Sequence, residues 1–175
     1  MRPLPQPLHE PLPVDVKRAL HVPILETRSL AWPDEAACQR YAESLAARPA
    51  LHDAYLELQG PLGAGKTTFV RHLLRALGVP GRIKSPTYAV LEPYSLPGLE
   101  VSHFDFYRFA DPREWEDAGF RDVFAAPGLK LAEWPDKAAG MLPAPDLRIV
   151  VEPVDENRRE VELQACSPRG LELIR

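Results

Sequence analysis

The chain has 175 residues, 45% of them apolar and 26% charged, which suits one ordinary globular domain that buries most of its surface. A formal net charge of -4, with no run of five or more like charges, argues against a simple basic nucleic-acid binder and leaves only local patches open. Cys38 and Cys166 fit no metal-ligand spacing and read as reduced thiols; no apolar stretch approaches the roughly 20 residues that span a bilayer, and prolines interrupt the N-terminus where a secretion signal needs an apolar core, so the cytoplasm is the expected location.

Pro3, Pro5, Pro7, Pro11 and Pro13 crowd the first thirteen positions, which can neither continue a helix nor donate regularly to a sheet. Residues 1–21 therefore read as a Pro-rich, disordered tail, with a partner-docking arm as the alternative. Residues 22–175 read as a single domain without internal repeats. From about Val22 to Leu30 the chain suits a short strand. Pro33 and Asp34 then open a helix and Pro49 lies beyond its end; Ala37, Tyr41, Ala42 and Leu45 recur at helical spacing and mark its core face. AYLELQG alternates as a strand, with Leu56 and Leu58 opposite Tyr55 and Glu57. It runs straight into GPLGAGKTT at residues 60–68. TFVRHLLRALGV follows as a helix with Phe69, Leu73, Leu74 and Leu77 on one face, ended by Gly78 and Pro80. KSPTYAVLEPYSL reads as a loop entering a strand, LEVSHFDFYRF as a strand ending near Asp105, and DPREWEDAGFRDVF as one helical segment. GLKLAEWPD is a strand ending at Glu133, and DLRIVVEPVDENRREVELQAC is two strands joined by a polar turn.

Gly60, Gly65, Lys66 and Thr67 meet the pattern Gly-x-x-x-x-Gly-Lys-Thr in full, and they do so between a strand and a helix. Glycines let the backbone fold round an anion and turn successive N–H groups inward. The helix that follows places its partly positive N-terminus at the same point. Lys66 reaches the β- and γ-phosphates and the Thr67 hydroxyl suits Mg2+. Mg2+ wants oxygen ligands, and two strand-end carboxylates are available, Asp105 and Glu133. One would sit near the metal and the other orient the attacking water; the residues alone do not assign the roles, and either taken singly also reads as an exposed strand-end acid. Ser85-Pro86-Thr87-Tyr88 reads equally as a switch loop sensing the γ-phosphate through Thr87 or as a turn. His103 shares the face of Asp105 by alternation and reads as a structural hydrogen-bonding histidine ahead of a catalytic one. For Trp134, composition favours core over lid or partner contact.

Taken together, GPLGAGKTTFVR, KSPTYAVLEPY, HFDFYRF followed by DPREWEDAGFRD, and LAEWPD stand in the order and spacing of the bacterial TsaE (YjeE) family. The chain resembles that family over roughly residues 33–152, reaching toward the C-terminal strands. The resemblance implies a single α/β, P-loop NTPase-like domain with a mixed central sheet flanked by helices. It implies an ATPase that uses ATP and Mg2+ and is required for the threonylcarbamoyl modification of adenosine 37 in tRNAs that read ANN codons. The implied partner is the TsaB–TsaD heterodimer, which performs the transfer and which hydrolysis would reset between turnovers; tRNA would be met only within that complex. Carried onto this chain, Gly63, Ala64, Gly65, Lys66, Thr67 and Thr68 would wrap the phosphates. Thr67 and Glu133 would hold the metal, Asp105 would be the nearby acid, and Thr87 the switch threonine. Glu35 on the first helix and Arg158 in the late hairpin would make more peripheral nucleotide contacts. The family often carries Thr and Gly where Cys38 and Ala42 stand here, which weakens the assignment of Glu35.

Three rival readings meet the residues differently. A small-molecule kinase needs an acceptor-binding insert and an arginine-bearing lid, for which Arg108, Arg113 and Arg121 are too scattered. A regulatory GTPase needs a guanine-reading Asn-Lys-x-Asp stretch, and the chain has none. A binding module that uses nucleotide only to switch a docking surface fits the phosphate loop, but Lys66 with Asp105 and Glu133 favours hydrolysis.

Overall fold

The computed structural model describes residues 22–86 and 88–175; the reading of residues 1–21 as a tail and that of Thr87 as a switch threonine lie outside the described residues. Seven strands, β1 (Glu26–Trp32), β2 (Tyr55–Gln59), β3 (Leu91–Leu96), β4 (Leu99–Asp105), β5 (Leu129–Glu133), β6 (Leu147–Pro153) and β7 (Arg159–Ala165), form one sheet in the order β1-β7-β6-β2-β5-β4-β3. The four central strands β6, β2, β5 and β4 run parallel, and antiparallel pairs β6–β7, β7–β1 and β4–β3 complete the two sides. In an open sheet of this kind the carboxyl ends of parallel strands are where ligands bind. Here Asp105 and Glu133 face one another across the β4–β5 pair at that end.

Helices cover both faces of the parallel part. On one, α1 (Glu35–Ala46) and α2 (Lys66–Ala76) bring Leu45, Phe69, Leu73 and Leu74 against Leu56, Leu58, Leu131 and Ile149, all fully buried. Phe69 stacks on Trp32 at 5.7 Å between ring centres, and truncating it to alanine would cost about 3–5 kcal/mol. On the other face, α3 (Pro112–Asp117) and α4 (Phe120–Ala125) close an aromatic cluster of Tyr55, Phe104, Phe106, Phe109, Trp115 and Phe120. The last helix, α5 (Pro168–Ile174), is capped by Ser167.

Two sequence expectations change, and the last helix was not anticipated. The first strand starts at Glu26 rather than Val22, because its partner β7 ends at Ala165, opposite Glu26. The single helix expected over DPREWEDAGFRDVF is two, because Gly119 stands between them with a left-handed φ of 69°, which ends one helix and starts the next. The C-terminal helix α5 carries no strong periodic signal in its seven residues.

Candidate functional site

The segment between β2 and α2 is shaped by its glycines. A Cβ on Gly60 would lie 2.3 Å from the carbonyl oxygen of Val151 in β6, so only glycine lets the loop leave the sheet so close to its neighbour. Gly65 has φ 102° and stands at the start of α2 with no side-chain cap. By contrast Asp34 caps α1 by accepting from the Ala37 amide at 2.8 Å. Among the described residues no side chain caps the first amides of α2, which stand at the positive end of the helix dipole, the arrangement by which a helix N-terminus receives an anion.

A cavity of about 400 Å³ opens at this point, lined by Gly63, Ala64, Gly65, Lys66, Thr67 and Thr68 together with Asp105 and Glu133. Eight of the residues singled out from sequence therefore meet at one place. The Thr67 hydroxyl donates to Glu133 Oε1 at 2.8 Å, and Glu133 Oε2 lies 2.7 Å from His103 Nε2. Asp105 Oδ1 accepts from the Tyr107 amide at 3.0 Å. The Lys66 ammonium donates to the carbonyls of Gly60 and, at 3.3 Å, Pro61, and it lies 3.8 Å from the centre of the Trp134 ring. Burial lowers the Lys66 pKa, against the pull of Glu133, Asp105 and Asp136. Burial also raises the Asp105 carboxyl, helped by the Glu133 charge and opposed first by the Tyr107 amide. Both groups pay for their charge in this place.

Two predicted residues stand elsewhere. Glu35 does not line the cavity; its exposed carboxylate pairs with His72 at 3.0 Å. Arg158 is exposed in the β6–β7 turn, where its amide donates to Asp155 Oδ1 at 2.9 Å. The neighbouring Arg159 is the one that reaches the glycine loop between β2 and α2, donating from Nε to the Ala64 carbonyl at 2.7 Å. Strand parity could have shown this, since Arg159 shares its side of β7 with buried Val161, Leu163 and Ala165, which belong to the core cluster that α1 and α2 join. Trp134 is half-buried: it packs against the aromatic cluster and also lines the cavity. A left-handed backbone at φ 55° turns it at the end of β5, so its ring meets Tyr107 at 5.0 Å as well as Lys66. Ser85, from the stretch read as a switch loop or a turn, also lines the cavity, as do Leu62, Arg71 and Tyr107, which were not picked out from sequence.

Among the described residues no group of three or more His, Cys, Asp or Glu side chains could hold a metal. The donors on offer at the cavity are a hydroxyl and carboxylates, oxygen atoms only, which suit a hard cation that keeps water or ligand oxygens in its shell. Uncapped amides, a lysine, a hydroxyl held by a carboxylate and a second carboxylate can together hold a polyphosphate and activate a water beside it.

A family model described as "Threonylcarbamoyl adenosine biosynthesis protein TsaE" matches residues 32–161. The tRNA threonylcarbamoyladenosine biosynthesis protein TsaE of Haemophilus influenzae is 43% identical over 117 residues, which are 67% of this chain and 73% of that protein. The protein of the same name from Bacillus subtilis is 36% identical over 114 residues, 65% of this chain and 71% of its own. The crystal structure of Bacillus subtilis YdiB superposes with a TM-score of 0.70 at 26% identity, covering 85% of this chain and 92% of that one.

Proposed function

The chain belongs to the TsaE family of threonylcarbamoyladenosine biosynthesis, and from that premise we propose that it is a Mg2+-dependent ATPase supporting this tRNA modification at adenosine 37. The observation that carries the reading is the uncapped N-terminus of α2 behind left-handed Gly65, opening on one cavity with Lys66, Thr67, Asp105 and Glu133. In this reading the α2 amides and Lys66 take the phosphate oxygens, Lys66 giving up its two backbone carbonyls for them. Thr67 and Glu133 would hold Mg2+, which when bound neutralises charge on the phosphates. Asp105 orients the attacking water and accepts its proton on the carboxylate oxygen not engaged by Tyr107; its raised proton affinity suits that task. The TsaB–TsaD heterodimer would be the partner that hydrolysis resets. Leu62 and Tyr107 at the cavity mouth, 74% and 42% exposed, would be available to such a partner.

The test is ATP binding and hydrolysis by the purified chain, alone and with a TsaB–TsaD heterodimer. Slow turnover that rises with the partner is expected. Lys66→Ala should weaken ATP binding about 100-fold, the worth of its charge-assisted phosphate contacts. Glu133→Ala should lose turnover more than binding. Because the lysine sits on the Trp134 ring, ATP binding should also change tryptophan emission. A Glu133→Ala protein that hydrolyses ATP at the parent rate with the partner present would show that the metal and water roles are misassigned.

A further inference from the structure

We propose that His103 is a positioning residue that locks the Glu133 carboxylate in the orientation the metal site needs, an inference that rests on the metal–nucleotide reading above. His103 is 1% exposed and does not line the cavity, so in this reading it would touch neither nucleotide nor attacking water. What it touches is Glu133. Its Nε2 lies 2.7 Å from Oε2, the short end of charge-assisted hydrogen bonds. The other oxygen, Oε1, accepts the Thr67 hydroxyl proton at 2.8 Å. Groups on two different elements, β4 and α2, thus hold the two oxygens of one carboxylate and fix its plane. A glutamate without them would be free to turn about its side-chain bonds. With its proton committed to Oε1, the Thr67 oxygen keeps its lone pairs for a cation.

The second ring nitrogen argues for a role beyond filling the core. Nδ1 is buried and, among the described residues, has no hydrogen-bond partner. Buried polar atoms without partners are uncommon and costly, and a histidine kept only for packing gains nothing over an apolar side chain that avoids the cost. The bond retained is the one to Glu133. Partners of this kind, one step behind the ligands, typically change metal affinity or activity about 10–100-fold when lost.

The experiment measures binding of a non-hydrolysable ATP analogue while Mg2+ is titrated, in the parent, His103→Leu and His103→Gln. In His103→Leu the half-saturating Mg2+ concentration should rise about 10–100-fold, while metal-free analogue binding stays at the parent level. His103→Gln, whose amide N–H can still reach the carboxylate, should recover most of the Mg2+ response. A His103→Leu protein with the parent Mg2+ requirement overturns the inference. So does one that loses analogue binding equally with and without Mg2+ and is not rescued by glutamine, since that pattern belongs to packing. If the leucine variant does not fold, glutamine alone decides: a requirement close to the parent's supports the inference, and a rise as large as that expected of leucine overturns it. A parent that binds the analogue without regard to Mg2+ overturns the metal reading itself, and this inference with it; failure confined to the variants overturns only the role of His103.

Discussion

Two buried acidic clusters sit on opposite faces of the same sheet, and they are completed in different ways. On the aromatic side, Glu57 of β2 accepts from the Tyr55 hydroxyl at 3.1 Å and pairs with Arg148 of β6 at 3.1 Å, and Arg148 continues to Gln164 at 3.1 Å. One carboxylate meets one guanidinium, and both of its oxygens are used. On the α2 side, two carboxylates, Asp105 and Glu133, share the neighbourhood of one cation, Lys66, whose hydrogen bonds go to backbone carbonyls. There burial raises the Asp105 pKa and lowers that of Lys66. The first cluster is satisfied by the protein itself. In the second, Glu133 has both oxygens engaged by Thr67 and His103, but among the described residues no side chain forms an ion pair with Asp105 or Lys66, a pattern more common at ligand sites than in structural ion pairs.

The comparison breaks most visibly at Arg148. Replacing it with methionine keeps much of the stem but leaves the buried Glu57 carboxylate with only a phenol. The cost should be about 3 kcal/mol, or about 10 °C in Tm for a chain of this size. Nucleotide affinity should not change, because the pair lies on the other face from the glycine loop. Pairing Arg148→Met with Glu57→Leu should restore much of the loss, since an apolar pair of similar bulk carries no stranded charge. Thermal melts of the single and double variants check both statements. A single variant as stable as the parent would mean that the closed cluster is not closed by Arg148.

The open cluster should respond with the opposite sign. The folded pKa of Asp105 lies above its usual value of 3.8, so the folded state holds that proton more tightly than the unfolded chain does. Stability linked to this group is full below about pH 4 and is lost as pH rises through the raised value. At pH 7 the ionised carboxylate is therefore a cost, and Asp105→Asn, which can still accept the Tyr107 amide proton, should raise stability by about 1 kcal/mol while removing turnover. The gain should shrink toward zero as the pH falls below about 4. An Asn variant less stable than the parent at pH 7 would place Asp105 with Glu57, among groups the fold has already satisfied.

How much of this was legible follows from which signals are local. The glycine loop between β2 and α2 could be read because its glycines, lysine and threonine are contiguous and sit between a strand and a helix. Asp105 and Glu133 could be read because each ends an apolar strand, although their pairing across β4 and β5 is a fact of sheet order that no stretch of sequence records. The cavity side of Trp134 was missed because its direction depends on one left-handed residue at the strand end, and composition favours burying a tryptophan. The break at Gly119 was missed because a glycine within a helical pattern reads as a weak helix as easily as a stop. Glu35 was carried over by resemblance, and here its carboxylate is spent on His72.

The choice between Arg158 and Arg159 is the finest of these distinctions. Adjacent arginines in a hairpin point to opposite sides, so register decides which one meets the glycine loop. Arg159 opens β7 opposite Pro153 and Trp32 and ties the hairpin to Ala64, while its Nη1 holds the carbonyls of Asp155, Glu156 and Arg158. Arg159→Met keeps the apolar stem and loses those bonds. One charge-assisted bond to a partly exposed carbonyl contributes about 1 kcal/mol, so ATP affinity should fall about fivefold. Arg158→Met should leave it unchanged. Equal losses in the two variants would show that the hairpin acts through its overall charge, and the edge of the open cluster would then be held by the glycines of the loop without help from β7.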